Sequence, residues 1–203
     1  MARILYQGHA SFKLITDRGT VIYVDPFAKA GIDEPADLIL VTHEHFDHNC
    51  VDMVPKADGC TTLRASSLHG DGSYGKATVA DVEIEAVPAC NANHPVDQCV
   101  GFVVCADGLV LYFAGDTSTT DFMATNLAAR DIDYAFLPCD GIYNMDRPEA
   151  EQCARTIGAR HTVPIHTAPT SSPDQLAFDR DKAEAFEAAG KVVMLPGETY
   201  PLG

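Results

Sequence analysis

The chain has 203 residues, and 46% of them are hydrophobic, which is enough to bury one substantial core. No Ser-, Gly- or Pro-rich linker divides it, so we predict a single domain over residues 1–203. The formal net charge of −15 opposes long-range attraction to nucleic acids and to anionic membranes. The composition therefore disfavours both classes of partner and favours a small-molecule substrate.

The cysteine pattern and the start of the chain indicate the cellular compartment. The seven cysteines show neither a paired spacing nor a Cys-x-x-Cys motif, and their odd number argues against a complete disulfide set. The first residues enter a strand pattern without the charged and apolar regions of a leader, and no apolar run approaches ~18 residues. We therefore expect a cytoplasmic protein, and the sequence leaves formation of a homo-oligomer open.

The beginning of the chain predicts short strands joined by turns. The strands cover residues 4–6, 11–16 and 21–24, and the turns fall at Gly8 and at 17–19. His9, in the first turn, is either an exposed hairpin histidine or a side chain near a functional site. Asp25, at the end of the third strand, either caps a turn or orients a metal-bound imidazole.

The stretch over residues 42–48 is the most informative part of the sequence. It follows the apolar run 38–41, which predicts a buried strand, so His43 and His45 project to one side while Glu44 points away. A helix-like stretch over 49–54 then turns Asp47 and His48 in a new direction. Three imidazoles and a carboxylate in six residues can hold a divalent metal, and the turn divides them into two pairs that suit two ions.

The middle of the chain supplies further polar side chains at strand ends. Residues 57–75 predict an irregular surface loop, and His69 within it is not expected to be a ligand. A half-buried strand over 79–87 ends shortly before Asn91 and His94. The hairpin that follows is formed by strands over 101–104 and 109–113. Its second strand leads directly to Asp116.

The last third of the chain predicts helices that alternate with strands. The helices cover 121–130 with Thr120 as the cap, 146–158 with Gly158 as the stop, and 179–189 before Gly190; the strands cover 134–138, 161–166 and 191–195. On a straight strand His161 and His166 face opposite ways, so at most one reaches a common site. His166, at the strand exit, is the candidate.

A metal centre is predicted because four strand-like runs, ending near 41, 88, 113 and 165, each deliver His or Asp at the exit. Loops at one edge of layered sheets gather into a common cleft. The seven candidate ligands are His43, His45, Asp47, His48, His94, Asp116 and His166. Such nitrogen and oxygen donors suit Zn, Mn or Fe. Cys50 and Cys139 are nearby in sequence but are treated as small buried thiols.

The ordered motifs resemble those of the metallo-β-lactamase superfamily. They are His43-x-His45-x-Asp47-His48, His94, Asp116 in Gly-Asp-Thr, and His166 in Pro-Ile-His. The resemblance is to the small bacterial and archaeal metal-dependent hydrolases related to L-ascorbate-6-phosphate lactonase, and it covers essentially the whole chain. The segments 8–12, 25–27 and 88–91 are also similar to that branch.

This resemblance implies an α/β fold, a four-layer αββα sandwich of two similar halves. It implies one metal on His43, His45 and His94 and another on Asp47, His48 and His166, with Asp116 bridging them. It also makes His9, Asp25 and Asn91 candidates for orienting ligands or lining the substrate cleft. The chain has no long insertion resembling the tRNA-clamping arm of the family's processing nucleases, which argues against a nuclease.

The expected activity is hydrolysis by a water activated between two divalent ions, with Zn preferred and Mn or Fe as alternatives. Asp47 would hold that water, and the site's small positive excess favours a small anionic ester, a lactone or a phosphodiester. The alternatives are an iron-dependent redox enzyme of the oxygenase type on the same fold and a non-catalytic metal-binding protein. The pattern that resembles di-iron oxygen reductases, however, has Glu at the position of His45.

Overall fold

The computed structural model describes residues 1–172 and 177–203. Within these residues the first half of the chain forms a six-stranded sheet with the order β14-β1-β2-β3-β4-β5. Its strands are β1 (Arg3–Gly8), β2 (Ser11–Ile15), β3 (Val21–Val24), β4 (Ala36–Val41), β5 (Lys56–Arg64) and, from the end of the chain, β14 (Thr199–Pro201). The first three strands pair antiparallel, whereas β3, β4 and β5 pair parallel.

The second half of the chain repeats this plan. A small hairpin of β6 (His69–Gly70) and β7 (Ser73–Tyr74) separates the halves. The second sheet has the order β13-β12-β11-β10-β9-β8. Its strands are β8 (Lys76–Val79), β9 (Val82–Pro88), β10 (Val100–Ala106), β11 (Leu109–Phe113), β12 (Tyr134–Pro138) and β13 (His161–Ile165). Again antiparallel hairpins come first and a parallel β11, β12, β13 set follows.

The two sheets pack face to face around an apolar core. Alternate residues of each strand point inward, so Leu38 and Leu40 of β4 join this core while Ile39 faces the outer layer. Aromatic rings bridge the two sheets: Phe12 lies 5.5 Å from Phe113 and 4.7 Å from Phe136 between ring centroids. Both faces of β4 are buried, which explains its continuous apolar run.

Helices cover the outer face of the second sheet. They are α2 (Asp121–Thr125), α3 (Arg147–Ile157) and α4 (Arg180–Ala185), while α1 (Ala65–Leu68) follows β5. The Asp146 side chain caps α3 by accepting from the Glu149 backbone N–H, and Gly158 ends the helix with φ 67°. The outer face of the first sheet packs instead against the 3₁₀ turn Val51–Met53 and its flanks. The fold is the predicted α/β sandwich, with a thin outer layer on the first side.

Two predicted elements differ in length from the structure. The 49–54 stretch is a 3₁₀ turn of three residues, and the 121–130 helix is divided into α2 and a 3₁₀ turn, Leu127–Ala129. Thr120 occupies the cap position of α2, but its side chain makes no capping hydrogen bond. The strand ends near 41, 88, 113 and 165 are confirmed at the last residues of β4, β9, β11 and β13.

The prediction of an irregular loop over 57–75 is wrong. Most of the first part is β5, an edge strand that pairs parallel with β4 and is only half-buried. Its pairing register shifts opposite residues 36–38, and Gly59 adopts φ 83°. An edge strand does not require alternating apolar residues, and the irregularity at Gly59 interrupts the two-residue period by which a strand is recognised.

The end of the chain also departs from the prediction. The helix over 179–189 stops at Ala185, because Phe186 turns extended and is buried among the residues that cover the second sheet. No strand forms over 191–195 in the described residues; Lys191 makes a single bridge to Thr162 of β13. Pro164 lies two residues further along β13, and it has no N–H group to continue a hydrogen-bond ladder with the 191–195 segment.

Candidate metal centre

The predicted ligands meet at one edge of the sandwich, where loops leave both sheets. His43, His45, Asp47 and His48 follow β4 of the first sheet. His94 follows β9, Asp116 follows β11 and His166 follows β13, all in the second sheet. The seven side chains therefore line a seam between the two halves of the chain.

Three histidines form the first group, and their ring nitrogens lie within 4.8 Å of one another. His45 Nδ1 and His94 Nε2 are 3.1 Å apart. His43 Nε2 is buried and has no hydrogen-bond partner among the described residues. Two nitrogens bound to one tetrahedral zinc ion at about 2.0–2.1 Å lie roughly 3.3 Å apart, so this spacing suits a shared ion.

The second group contains His9 in addition to the predicted Asp47, His48 and His166. His9 is fully buried, and its Nε2 lies 3.1 Å from Asp47 Oδ2. Burial and the neighbouring His166 lower the pKa of His9 to about 4. The neutral ring therefore donates its Nε2–H to the carboxylate. The interpretation of His9 as an exposed hairpin histidine is wrong.

Asp116 lies between the two groups. Its Oδ2 is 3.4 Å from His94 Nε2 and 3.4 Å from His166 Nε2, and its Oδ1 is 3.4 Å from His48 Nε2. Burial opposes its ionisation, but the positive charges of His166 and His48 hold its pKa well below the usual range. A buried carboxylate that touches nitrogens of both groups can serve two ions at once.

Gly115 lets Asp116 reach this position. Its φ is 65°, and a Cβ at this residue would lie 2.8 Å from the Val100 carbonyl oxygen and 3.0 Å from Thr42 Cβ. Any side chain here would push the Asp116 turn away from the residues that follow β4. The Gly-Asp pair is therefore required by the close approach of the two halves.

The outward nitrogens of His43 and His48 are held by neighbouring side chains. The Asp25 carboxylate accepts from the Thr42 hydroxyl at 2.7 Å and from His48 Nδ1 at 2.9 Å. Since the Thr42 proton is used in that bond, Thr42 Oγ1 accepts from His43 Nδ1 at 2.9 Å. When either ring is neutral, this contact keeps the proton on Nδ1 and directs the Nε2 lone pair into the site. Asp25 orients a ring, as one of the two interpretations proposed.

The second sheet repeats this arrangement. Asn91 Oδ1 lies 2.8 Å from His94 Nδ1 and also accepts the backbone N–H groups of Asn93 and His94. Asp140 Oδ2 lies 3.0 Å from His166 Nδ1. Burial alone would lower the pKa of His166, but the carboxylates of Asp116 and Asp140 raise it to about 10.

The backbone at the site is strained. His9, Asp25 and His166 have φ values of 56°, 44° and 46°, which side chains larger than glycine rarely adopt. The His166 N–H donates to the His9 carbonyl at 2.9 Å, which links two of these residues. His166 therefore reaches the site through a turn after β13 and not by strand parity alone.

The remaining histidines lie elsewhere, as expected. His161 stacks on Tyr134 at 4.7 Å, and His69 stacks on Tyr74 at 4.3 Å between ring centroids. Sequence reasoning missed Asp140 and Thr42. Asp140 follows β12, so it is a carboxylate at a strand exit, as Asp116 is.

A cavity of about 380 Å³ opens over the second group. Its lining residues are His45, Phe46, Asp47, Asn93, His94, Asp116, Tyr143, His166, Pro169 and Thr170. A second cavity of about 250 Å³ reaches His43, His45 and His94 from the other side. A small molecule entering the larger cavity would meet donors of both groups.

The donor set fits a divalent metal. Within the described residues, four buried atoms that converge on the centre have no hydrogen-bond partner: His43 Nε2, His48 Nε2, His166 Nε2 and Asp116 Oδ1. Leaving such atoms unpaired costs roughly 1–3 kcal/mol each, so their convergence indicates a ligand. Imidazole and carboxylate donors match the preferences of Zn, Mn and Fe.

The fold and this donor set define the class: an αββα sandwich with a candidate metal centre at one edge. Residues 3–166 match the family model described as the beta-lactamase superfamily domain. The chain belongs to the metallo-β-lactamase superfamily. No helix in residues 1–172 or 177–203 is long and apolar enough to cross a membrane.

Relatives extend along the whole chain. A UPF0173 metal-dependent hydrolase of Thermococcus kodakarensis is 32% identical over 232 residues, which cover 100% of both proteins. Another, of Rubrobacter xylanophilus, is 32% identical over 230 residues, covering 97% of this chain and 95% of the relative. The solved structure of the metallo hydrolase Igni18 of Ignicoccus hospitalis has a TM-score of 0.73 at 22% identity and covers 100% of this chain and 99% of that one. This last likeness concerns the fold.

Proposed function

We propose that this metal-dependent hydrolase cleaves a small anionic ester, a lactone or a phosphodiester, at a centre of two divalent ions. The observation that carries the proposal is the position of Asp116, which lies 3.4 Å from a nitrogen of each group. His43, His45 and His94 would hold one ion and Asp47, His48 and His166 the other, with Asp116 shared. Zinc is our first candidate, with manganese and iron as alternatives.

When bound, the ions supply a water of lowered pKa and polarise the reacting oxygen of the ester. The protein contributes the orientation of the reactants. Asp47 faces the larger cavity, and one of its oxygens is fixed by His9. Burial opposes its ionisation, but the His9 hydrogen bond and the charge of His48 lower its pKa to about 2. Asp47 can therefore accept a hydrogen bond from the attacking water.

Elemental analysis of protein purified without added metal tests the centre. We expect close to two ions per chain. Asp116→Ala should lose metal from both positions, because its carboxylate touches both groups. His161→Ala is the matched control and should keep the metal, since its ring stacks on Tyr134 away from the site. A fully loaded Asp116→Ala protein would show that the shared assignment is wrong.

A hydrolysis screen on the metal-loaded protein tests the reaction. Lactones, phosphodiesters and amides should be compared, each as a matched neutral and anionic pair. We expect turnover of an anionic lactone or phosphodiester and little turnover of amides. A consistent preference for neutral esters would show that the site does not select a negatively charged substrate. It would leave the assignment of the metal centre unchanged.

A further inference from the structure

Two aromatic side chains stand exposed at the mouth of the larger cavity. Phe46 is 57% and Tyr143 is 51% exposed, and both line the cavity together with the candidate ligands Asp47 and His166. Large apolar side chains that are exposed to solvent beside a cluster of candidate metal-binding groups indicate a binding surface. They contribute nothing to the core of the sandwich.

The Phe46 ring and the backbone of Tyr143 are held in place before any ligand binds. The Phe46 ring meets the buried ring of Phe27 edge-on, with 5.8 Å between centroids and an interplanar angle of 85°. The Tyr143 carbonyl accepts from the side-chain amides of Asn91 and Asn93, each at 3.1 Å. A preorganised ring and a fixed backbone lose little conformational freedom on binding, so the contact area converts efficiently into affinity.

The charges around the cavity limit where a substrate can be negative. Among the described residues that line it there is no Lys or Arg, and the sequence of 173–176 contains none. Asp25 and Asp140, which touch the rings of His48 and His166, add two carboxylates to Asp47 and Asp116. Four carboxylates balance two divalent ions, so a negative group is favoured only in direct contact with the ions.

We propose that Phe46 and Tyr143 determine substrate specificity by binding a planar apolar ester group. The substrate would be a phosphodiester whose single negative charge lies on the reacting phosphate. This rests on the proposed hydrolytic function. In the reaction water adds to phosphorus, the bond from phosphorus to the leaving oxygen breaks, and a proton passes to that oxygen. A phosphorylated lactone fits less well, because its remote phosphate would lack a cationic partner in the described cavity.

The binding test compares two monoanionic probes, methyl phenylphosphonate and methyl methylphosphonate, by calorimetry on the metal-loaded protein. We expect the wild type to bind the phenyl probe roughly 10-fold more tightly. Phe46→Ala and Tyr143→Ala should each weaken phenyl binding by roughly 3- to 10-fold and methyl binding by less than about 2-fold. Tyr143→Phe should retain the preference.

Ile142→Ala is the matched control. Ile142 is 60% exposed and adjacent to Tyr143, but it is not among the residues that line the cavity. Its loss should leave both dissociation constants unchanged. Equal binding of the two probes by the wild type, no effect of either aromatic variant, or equal loss for both probes would overturn the proposal.

Turnover separates this proposal from the proposed function. S-Ethyl O-phenyl phosphorothioate and S-ethyl O-methyl phosphorothioate share an ethanethiol leaving group that carries no ring, so kcat/KM, measured by thiol release, should favour the phenyl diester, and Phe46→Ala should remove most of that preference. Equal kcat/KM with equal probe binding would overturn the aromatic selection and leave hydrolysis standing. A phenyl preference in binding without turnover of any ester would remove the hydrolytic function and support the selecting role of the two rings.

Discussion

At the scale of single residues, His9 is the side chain that fixes the carboxylate of Asp47. It donates to Asp47 Oδ2, and its carbonyl accepts from the Tyr6 hydroxyl and from the His166 N–H, each at 2.9 Å. Its φ of 56° is held by these contacts. A buried ring fixed in this way orients the Asp47 carboxylate at the cavity wall, as its proposed role in holding water requires.

Replacing Asp47 by Asn keeps the shape but removes a charge and an acceptor. We expect turnover of an accepted ester to fall by roughly two or more orders of magnitude, the scale of a lost acid-base group. The Michaelis constant should change less. Asp52→Asn is the control, because Asp52 is exposed in the 3₁₀ turn that follows. Equal turnover of Asp47→Asn and wild type would remove Asp47 from the mechanism.

Asp140 connects the candidate metal ligand His166 to the turn that carries Tyr143. Its Oδ1 accepts the N–H groups of Ile142 and Tyr143 at 2.5 Å and 2.6 Å, while its Oδ2 contacts His166. Asp140→Asn keeps an acceptor for the turn but removes the charge beside His166. We expect metal affinity, measured by competition with a chelating dye, to fall roughly 10- to 100-fold.

The control for this prediction is Asp146→Asn. Asp146 caps α3, and Asn is an equally good capping residue, so helix and metal affinity should both be retained. Equal metal affinity of Asp140→Asn and wild type would show that the carboxylate beside His166 has no influence on the ion.

At the scale of elements, the strands that deliver ligands were predictable from their local patterns. β4 contains the continuous apolar run 38–41, β9 alternates apolar and acidic residues, and the polar residues after both strands mark the edge of the sheet. β5 is only half-buried, and α4 stops so that Phe186 can pack on the second sheet. Such outcomes depend on neighbours that are distant in sequence, and local patterns do not contain them.

The same limit applies within the metal centre. The residue types and their order indicate His43, Asp116 and His166, because each follows a strand. The contact of His9 with Asp47 depends on a turn 38 residues away, so the sequence left it open. Asp140 has the same local signal as Asp116 and could have been found by applying the strand-exit argument to β12.

An ion pair joins β9 to the segment that precedes β12. Arg130 donates to both carboxylate oxygens of Glu85 at 2.8 Å and 2.9 Å, and this bond lowers the pKa of Glu85. Because the folded pKa is depressed, the pair contributes stability above the ordinary pKa of glutamate and loses it as the pH falls through the folded value. Glu85→Gln should therefore cost about 1 kcal/mol at pH 7 and less at pH 3.

The measurement is urea unfolding of the metal-loaded protein at pH 7 and of the metal-free protein at both pH values. Glu83→Gln is the matched control, since Glu83 lies two residues earlier on the same face of β9 and is exposed. It should change the free energy of unfolding by less than about 0.5 kcal/mol. The same loss for Glu85→Gln at pH 3 and pH 7 would contradict the ion-pair explanation.

At the scale of the whole molecule, the candidate metal centre lies between the two halves of the sandwich. The first sheet supplies His43 and His48, and the second supplies His94 and His166, so bound ions would tie the sheets together at one edge. Ligands that bind the folded state alone add their binding free energy to its stability. The same groups also bind protons when no metal is present, and this competition makes metal binding depend on pH.

His166 determines the sign of that dependence. Burial would lower its pKa, but Asp116 and Asp140 raise it to about 10, and the pKa of His48 is raised in the same direction. Without metal, His166 is therefore protonated at pH 7, and a metal ion must displace this proton to reach Nε2. The association constant should rise roughly tenfold per pH unit for each proton released as long as the pH stays below the raised pKa.

The association constant of zinc with the metal-free protein can be measured by dye competition at pH 6.5, 7.5 and 8.5. Calorimetry in two buffers of different ionisation enthalpy counts the protons released at pH 7.5. His161→Ala should keep the slope, because His161 lies on β13 outside the centre. An association constant that is independent of pH, with no proton released, would mean that the carboxylates around His166 do not hold a proton in the metal-free protein.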